Sequence, residues 1–308
     1  MRVASVLPSA TEMIHFCGAG EALVGNAHEC DYPAGVETLP HLTSTRMEGR
    51  DMTSAEIDAA IAEHLADNGS IYALDAKLLD ALAPDLIITQ GLCDVCAISM
   101  GLVGQAVAGM KNEPEVLSLN PTSLRGVLDD AVRVGEALGY GEETRPKVAT
   151  LEERLACVEE AVAGLPRPRV CSIEWLDPPF SAGHWVPEMV CIAGGDEVLA
   201  GPGGASARLS WEQIFEAAPE VLVLMPCGFD IRRTVEEARR VLPELPGWKD
   251  LPAVRGERVW AVDANSYFSR PAPRLVEGVE ILARILHPGG AFGELETTAA
   301  MAFSQAFG

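Results

Sequence analysis

EETRPKVATLEERLACVEEAVA, residues 142–163, is the longest helix that the sequence predicts. Its apolar side chains recur at the spacing of one face of an α-helix: Val148, Leu151, Leu155, Val158 and Val162. At a rise of about 1.5 Å per residue the helix spans about 30 Å, the diameter of a small domain. This length at mid-chain indicates a rigid connector between two lobes, although an ordinary crossover helix within one sheet also fits the pattern.

On both sides of this helix, short β-branched stretches alternate with longer amphipathic ones. The predicted strands are residues 3–7, 23–27, 85–89 and 116–119 before the helix, and residues 170–174, 221–225 and 258–262 after it. Further helices are predicted at residues 54–68, 75–83, 122–138, 187–193 and 274–286. This alternation is typical of βαβ units, so the fold class is α/β with mostly parallel sheets.

The chain length agrees with two domains, because 308 residues correspond to about 150 residues for each. We expect an N-terminal lobe at residues 1–140 and a connector helix at residues 141–165. A C-terminal lobe should follow at residues 166–290. The tail at residues 291–308 has no predicted partner.

The charge balance excludes two classes of partner. The chain has 23 basic and 45 acidic residues, a formal net charge of −22, which repels phosphate backbones and anionic lipid. No stretch approaches about 18 uninterrupted apolar residues, so no membrane insertion is expected. The sequence therefore predicts neither nucleic-acid nor membrane binding.

The first residues, MRVASVL, lead directly into a predicted strand and lack the apolar stretch of a signal peptide. The chain also contains eight cysteines, which the cytoplasm would keep reduced. The expected location is therefore the cytoplasm.

Reactive and aromatic side chains are concentrated just after the predicted strands. In open parallel α/β sheets, ligands bind at the carboxyl ends of the strands. We therefore expect loops of both halves to line one shared cleft. These residues are His28, Cys30, Cys93, Cys96, His184, Trp185, Cys227, Asp263 and Tyr267.

Five short motifs occur in order along the chain: PSATE at residues 8–12, DYP at 31–33, PDLII at 84–88, DPPFSAG at 177–183 and RPAPR at 270–274. Together they resemble the substrate-binding proteins of ABC importers for metal chelates, the cobalamin- and iron-siderophore-binding periplasmic type. The resemblance covers residues 1 to about 287. It implies the class III fold, in which one long backbone helix joins two Rossmann-like lobes. It also implies a non-catalytic protein that holds a metal chelate, with a cobalamin-like corrinoid as the expected ligand, between the lobes.

The resemblance also suggests ligand-binding residues. Tyr32 matches a pocket tyrosine of the family, Tyr267 stands where the family has a tryptophan, and Phe180 lies in the matching Pro-Pro-Phe turn. From their chemistry, the imidazoles of His28 and His184 can ligate cobalt or iron, and arginines suit the polar rim of a chelate. The full set of candidates is Ser9, Thr11, Glu12, His28, Tyr32, Phe180, His184, Trp185, Phe229, Tyr267, Arg270 and Arg274.

The chain departs from the family in two places. Residues 43–46, TSTR, stand where the family has a tryptophan, and residues 48–72 resemble an insertion. The glutamates with which such proteins dock onto their transporter have no clear counterpart. Docking onto an ABC transporter is therefore doubtful, and a homodimer is left open.

The loop cysteines support an alternative function. Cys93 and Cys96 are spaced to hold one metal ion, and Cys30 and Cys227 lie on other loops of the same predicted edge. Thiolates suit Zn, an iron–sulfur cluster or corrinoid cobalt. The alternative is therefore a metalloprotein or enzyme with a Cys-ligated Zn or iron–sulfur centre, while the plainer interpretation is that these are small buried residues. No hydrolase, zinc-protease or nucleotide-binding motif is present, which favours a non-catalytic protein.

Overall fold

The computed structural model of the chain describes residues 1–47, 52–68, 70–91, 98, 100–290, 292–293, 295 and 297–304. The chain divides into two compact units. The first consists of Met1–Met52, Ala59–Pro121 and Arg125–Ala149, and the second of Thr53–Asp58, Thr122–Leu124 and Thr150–Gly308.

The first unit contains a four-stranded parallel sheet and a small antiparallel pair. Its strands are β1 (Val3–Ser5), β2 (Leu23–Gly25), β3 (Thr43–Thr45), β4 (Tyr72–Leu74), β5 (Leu86–Gln90) and β6 (Glu115–Leu119). The parallel sheet has the order β2-β1-β5-β6, and β3 pairs with β4. Every residue of β5 is buried, as expected for a central parallel strand.

The described residues form six helices that begin in or cross the first unit: α1 (Pro8–Cys17), α2 (Ser54–Asn68), α3 (Ala76–Leu82), α4 (Met100–Ala108), α5 (Leu124–Ala137) and α6 (Gly141–Val162). Helix α1 has Pro8 at its first position and ends at Gly18, whose φ of 96° closes the helix without strain from a side chain. The unit boundary falls within α2, after Asp58, within α5, after Leu124, and within α6, after Ala149.

The second unit is built on one mixed sheet. Its strands are β7 (Arg169–Leu176), β8 (Pro179–Ser181), β9 (Asp196–Glu197), β10 (Val221–Leu224), β11 (Val259–Val262) and β12 (Ala300–Ala302). Strands β7, β10 and β11 are parallel neighbours in the order β12-β11-β10-β7-β8, while β8 and β12 run antiparallel to their neighbours. The short strand β9 pairs in parallel with β7.

The helices of the second unit are α7 (Val186–Ile192), α8 (Trp211–Ala217), α9 (Ile231–Val241), α10 (Pro252–Arg255), α11 (Ala264–Tyr267) and α12 (Leu275–Leu286). One core cluster packs against the sheet and includes Ile173, Leu224, Ile214, Trp248 and Phe303. Helix α12 is buried along most of its length, so it acts as an internal support of this unit.

Most predicted elements are confirmed. The mid-chain helix predicted at residues 142–163 is α6, and the helix at residues 54–68 is α2. The tail, for which the sequence offered no partner, contains β12, which pairs with β11 through Ala300, Met301 and Ala302. The presumed insertion is also ordered in its described part, since it supplies α2 and leads into β4.

The first turn of α2 is fixed within the second unit by a buried carboxylate. Glu237 on α9 accepts hydrogen bonds from the main-chain N–H of Ser54, at 2.9 Å, from the Ser54 hydroxyl and from the guanidinium of Arg240. The indole of Trp175 donates to the Ser54 carbonyl at 3.1 Å. Burial alone would raise the pKa of Glu237, but the hydrogen bonds from Arg240 and Ser54 outweigh it and lower that pKa.

Glu237→Ala is expected to lower the free energy of unfolding by about 2 kcal/mol, because it leaves the buried polar groups of Ser54 without an acceptor. Its neighbour Glu236 provides a matched control, since it forms an exposed ion pair with Arg232 at 3.2 Å. Glu236→Ala should change stability by less than about 0.5 kcal/mol. Denaturant unfolding of both variants measures the difference, and equal losses would show that the Ser54 contact contributes nothing.

Candidate functional site

The PSATE motif forms the start of α1 at the carboxyl end of β1. Ser9, Thr11 and Glu12 are all buried. The Thr11 hydroxyl donates to Ser5 Oγ at 2.9 Å and lies 3.2 Å from Cys30 Sγ. These buried contacts of the motif therefore hold the start of α1 against the carboxyl end of β1.

His28 follows β2 at the same edge. Its main-chain N–H donates to Thr43 Oγ1 at 3.1 Å, and its Nδ1 lies 2.7 Å from the same oxygen. Burial, followed by the charge of His41, lowers the pKa of His28, so the imidazole is neutral at pH 7. A neutral imidazole retains the lone pair that metal ligation requires.

Tyr72 is a site residue that the sequence analysis missed. It lies on β4, within the presumed insertion, and its ring centroid is 6.0 Å from that of His28. Tyr72 and Thr43 line a cavity of about 10 Å³, room for a single water molecule. The short apolar sequence IYAL at residues 71–74 was the available signal, but its pairing with β3 is not readable from spacing.

Tyr32 is the exposed aromatic side chain of this edge. It is 45% exposed and precedes a cis peptide bond to Pro33. Of the first-unit candidates, Tyr32 therefore offers the largest accessible ring face.

The second unit presents an aromatic and cationic stack after β7 and β10. The rings of Trp175 and Phe229 meet edge to face at 5.4 Å, and the Arg233 guanidinium lies 3.9 Å from the Phe229 ring centroid. Phe229 is only 2% exposed, so its buried ring packs against Trp175 and Arg233 from the interior of the unit. Cys227, two residues before Phe229, is exposed.

Two further arginines follow β11. Asp263 caps α11 by accepting from Ser266 N at 3.0 Å. The guanidinium of Arg274 lies 5.8 Å from the ring centroid of Tyr267, and Arg270 donates to Asn265 Oδ1 at 3.0 Å. Arg233, Arg270 and Arg274 therefore bring three guanidiniums to the segments that follow β10 and β11, where Asp230 and Asp263 also lie.

His184 has a left-handed backbone conformation, with φ of 55°, which is uncommon for a residue other than glycine. Its N–H donates to the Gly204 carbonyl at 2.6 Å, and its carbonyl accepts from Gly203 N at 2.9 Å. Gly183 permits this close approach, because a Cβ there would lie 2.4 Å from Ser206 N. Burial lowers the pKa of His184, so this imidazole is neutral as well.

Two aromatic candidates of the second unit have structural partners. Trp185 is 6% exposed and donates its indole N–H to the Phe268 carbonyl at 2.8 Å, so the structure places it in the interior and not at the surface. Phe180, on β8, is half-buried, and the Arg208 guanidinium lies 5.5 Å from its ring centroid.

The structure gives no support to the predicted four-cysteine metal site. Cys30 is buried in a small cluster with Ala27 and Val36, whereas Cys227 is exposed on the second unit. Cys93 and Cys96 lie outside the described residues. Among the residues that are described, no group of three or more His, Cys, Asp or Glu side chains could hold a metal ion.

Residues 4–265 match the family model described as periplasmic binding protein. The chain belongs to this family. Since the match covers most of the chain, this periplasmic binding protein has the predicted α/β class III fold, with two lobes and parallel sheets. It is a non-catalytic solute-binding protein of the cobalamin, heme and siderophore type.

Individual relatives of this periplasmic binding protein are distant but extend along nearly all of it. An uncharacterized ABC transporter substrate-binding lipoprotein, YvrC of Bacillus subtilis, is 22% identical over 291 residues, 93% of this chain and 80% of the relative. The vitamin B12-binding protein of Vibrio cholerae is 23% identical over 284 residues, 91% of this chain and 86% of the relative. The solved structure of the periplasmic heme-binding protein RhuT from Roseiflexus sp. RS-1 matches with a TM-score of 0.69 and 23% identity, over 93% of this chain and 97% of that one.

These findings leave two sequence predictions without support. Neither the comparisons nor the described residues indicate a zinc or iron–sulfur centre. The doubt about transporter docking is not supported either, because a relative of this periplasmic binding protein carries an ABC transporter designation. Among the described residues, no helix combines the length and apolar composition needed to cross a bilayer.

Proposed function

We propose that this chain binds a corrinoid such as cobalamin. The observation that carries the proposal is the similarity, over 91% of the chain, to a protein named for binding vitamin B12. The candidate ligand-binding side chains lie in each unit at the carboxyl ends of its parallel strands.

The side chains at these edges suit a large planar macrocycle. Tyr32 offers an exposed ring, Tyr267 is half-buried beside the Arg274 guanidinium, and Trp175 is held in place by its contact with Phe229. Aromatic faces bind flat rings through offset stacking. The imidazole of His184, whose pKa is lowered by burial, would supply a nitrogen ligand if cobalt were bound.

Heme is the second candidate, and one observation favours it. Arg233, Arg270 and Arg274 lie at the edge of the second unit, where their guanidiniums suit the carboxylates of an anionic ring system. The solved heme-binding structure from Roseiflexus shares the fold. An anionic porphyrin would form ion pairs with these arginines, whereas an uncharged corrinoid would not.

The decisive experiment titrates the full chain with cyanocobalamin, cobinamide and hemin while absorbance and heat are recorded. We expect cyanocobalamin to bind with a Kd below about 10 µM, which corresponds to about 7 kcal/mol. Tyr32→Ser should weaken binding about tenfold by removing a stacking face. Tyr140→Ser is the matched control, because Tyr140 is similarly exposed at 39% and precedes α6. If hemin binds saturably and neither corrinoid binds, the corrinoid proposal is wrong and heme is the ligand.

Delivery and location are separate parts of the proposal. The relative named as an ABC transporter substrate-binding lipoprotein supports delivery of the ligand to an ABC transporter. The cytoplasmic location expected from the first residues stays a prediction. Fractionation of cells that make the full-length protein tests it, and recovery outside the cytoplasm would overturn it.

A further inference from the structure

Trp175 is an aromatic side chain of the candidate site whose orientation is fixed by two contacts. It is half-buried near the end of β7, and its ring meets the buried ring of Phe229 edge to face at 5.4 Å. Its indole Nε1–H donates to the main-chain carbonyl of Ser54 at 3.1 Å. The contact with Phe229 limits the tilt of the indole, and the hydrogen bond determines which edge of the indole faces Ser54.

The acceptor of this hydrogen bond lies at the start of α2, in the segment at residues 48–72 that resembles an insertion. Residues 53–58 belong to the second compact unit. A capping box holds this first turn, because the Thr53 N–H donates to Glu56 Oε2 at 2.8 Å and the Glu56 N–H donates to Thr53 Oγ1 at 3.0 Å. The carbonyl of Ser54 therefore has a well-defined position at the start of α2.

Glu237 connects this turn to α9. One oxygen of its carboxylate accepts from the Ser54 N–H at 2.9 Å and from the Ser54 hydroxyl, and the other accepts from the guanidinium of Arg240. Ser54 is fully buried and Glu237 is only 7% exposed, so water does not readily replace these hydrogen bonds. Removing the carboxylate would leave two buried donors of Ser54 without an acceptor, and the turn would have to move to satisfy them.

We propose that Glu237 is a positioning residue for the candidate ligand site, which acts through Ser54 to hold the ring of Trp175 in the orientation that stacks on the ligand. A ring that is held before the ligand arrives loses less side-chain entropy on binding than a ring that rotates. The effect on binding rests on the proposed function. The orientation of Trp175 is a property of the ligand-free chain, so it can be tested separately.

The first measurement uses the isotope-labelled full chain without ligand. The indole Nε1–H resonance of Trp175 is assigned by its absence in Trp175→Phe. In Glu237→Ala we expect this resonance to shift and its proton to exchange with water about tenfold faster, because the acceptor carbonyl is displaced. Glu236→Ala is the matched control, since Glu236 forms an exposed ion pair with Arg232, and its Trp175 resonance should match that of wild type.

The second measurement is a double-mutant cycle with cyanocobalamin as the ligand. Glu237→Ala should weaken binding about fivefold when Trp175 is present. In Trp175→Phe, which keeps an aromatic ring but lacks the indole N–H, the same change should weaken binding by less than about twofold. A purely structural role of Glu237 would lower the affinity by the same factor in both backgrounds.

Two results would show that the proposal is wrong. One is an indole resonance of Trp175 that is unchanged in Glu237→Ala, and the other is an equal loss of affinity in both backgrounds. If Glu237→Ala does not fold, Ser54→Ala replaces it: this variant loses only the hydroxyl contact to Glu237, and an unchanged Trp175 resonance there contradicts the proposal. If wild type does not bind cyanocobalamin, the proposed function fails, while the indole resonance still decides whether Glu237 positions Trp175.

Discussion

Replacing Gly278 by alanine is expected to lower the free energy of unfolding by about 2–3 kcal/mol. Gly278 lies on α12, where an added Cβ would stand 2.3 Å from the main-chain oxygen of Tyr267 and 2.7 Å from Met189 Cε. Main-chain atoms cannot yield as a flexible side chain does, so α12 must move away from the segment that carries Tyr267. The same variant should therefore weaken ligand binding, because the displaced segment carries Tyr267, a candidate ligand-binding residue whose ring lies 5.8 Å from the Arg274 guanidinium.

Gly104→Ala is the matched control for this prediction. Gly104 is also within a helix, α4, but an added Cβ would meet nothing within 4 Å. Alanine there should stabilise the chain by up to about 1 kcal/mol, because it lowers the entropy of the unfolded state and favours the helix. Urea unfolding of both variants should give changes of opposite sign, and a neutral Gly278→Ala would show that α12 does not need the close approach.

Raising the pH from 5 to 8 is expected to cost the folded chain about 2–3 kcal/mol through Glu197 alone. Burial raises the pKa of Glu197, on β9, to about 7 in the folded chain, against an ordinary value of 4.5. Between these values the folded chain holds a proton that the unfolded chain has released, so stability falls as the pH rises through this interval. Below 4.5 the contribution is fully present, and above 7 it is lost.

Four half-buried histidines act in the opposite direction and must be separated from this effect. Burial lowers the pKa values of His15, His28, His184 and His287, so their contributions to stability rise with pH. Comparison of wild type with Glu197→Gln cancels them, since both chains contain all four. Denaturant unfolding should show the variant gaining about 2–3 kcal/mol relative to wild type between pH 5 and 8. A constant difference across this range would contradict the prediction.

The sequence predicts the parallel core well because its signals are local. The helical spacing in residues 142–163 identifies α6, and the β-branched stretch before residue 90 identifies the buried strand β5. Such elements carry their own periodicity, whatever they pack against. The five motifs also occur in the order expected for the family, in both lobes. The family predicted from them is therefore confirmed.

The antiparallel additions could not be predicted in this way. The pairs β3–β4 and β11–β12 join segments that are far apart in sequence, at Thr45 with Tyr72 and at Val262 with Ala300. Short strands of this kind are stabilised by their partner, and no turn signal connects them. In contrast, α8 was missed although its Ser210–Gln213 capping box is a recognisable start signal.

The candidate site shows the same division between residue type and exposure. The position of chemistry-bearing residues after strands is readable, as Cys227 after β10 and Tyr267 after β11 show. Whether a side chain faces outward depends on tertiary packing. Thr11 and Trp185 were expected at the ligand surface, but both are buried and hydrogen-bonded inside their units.

The strand β12 has a practical consequence for shortened versions of the chain. The family match ends at residue 265, which suggests that the last residues are dispensable. Truncation near residue 290 would instead strip the outer strand from β11 and take Phe303 from its contact with Trp248. Strand β11 would then become an exposed edge strand whose unpaired N–H and C=O groups can pair with another molecule. Such a truncated chain should therefore aggregate during purification.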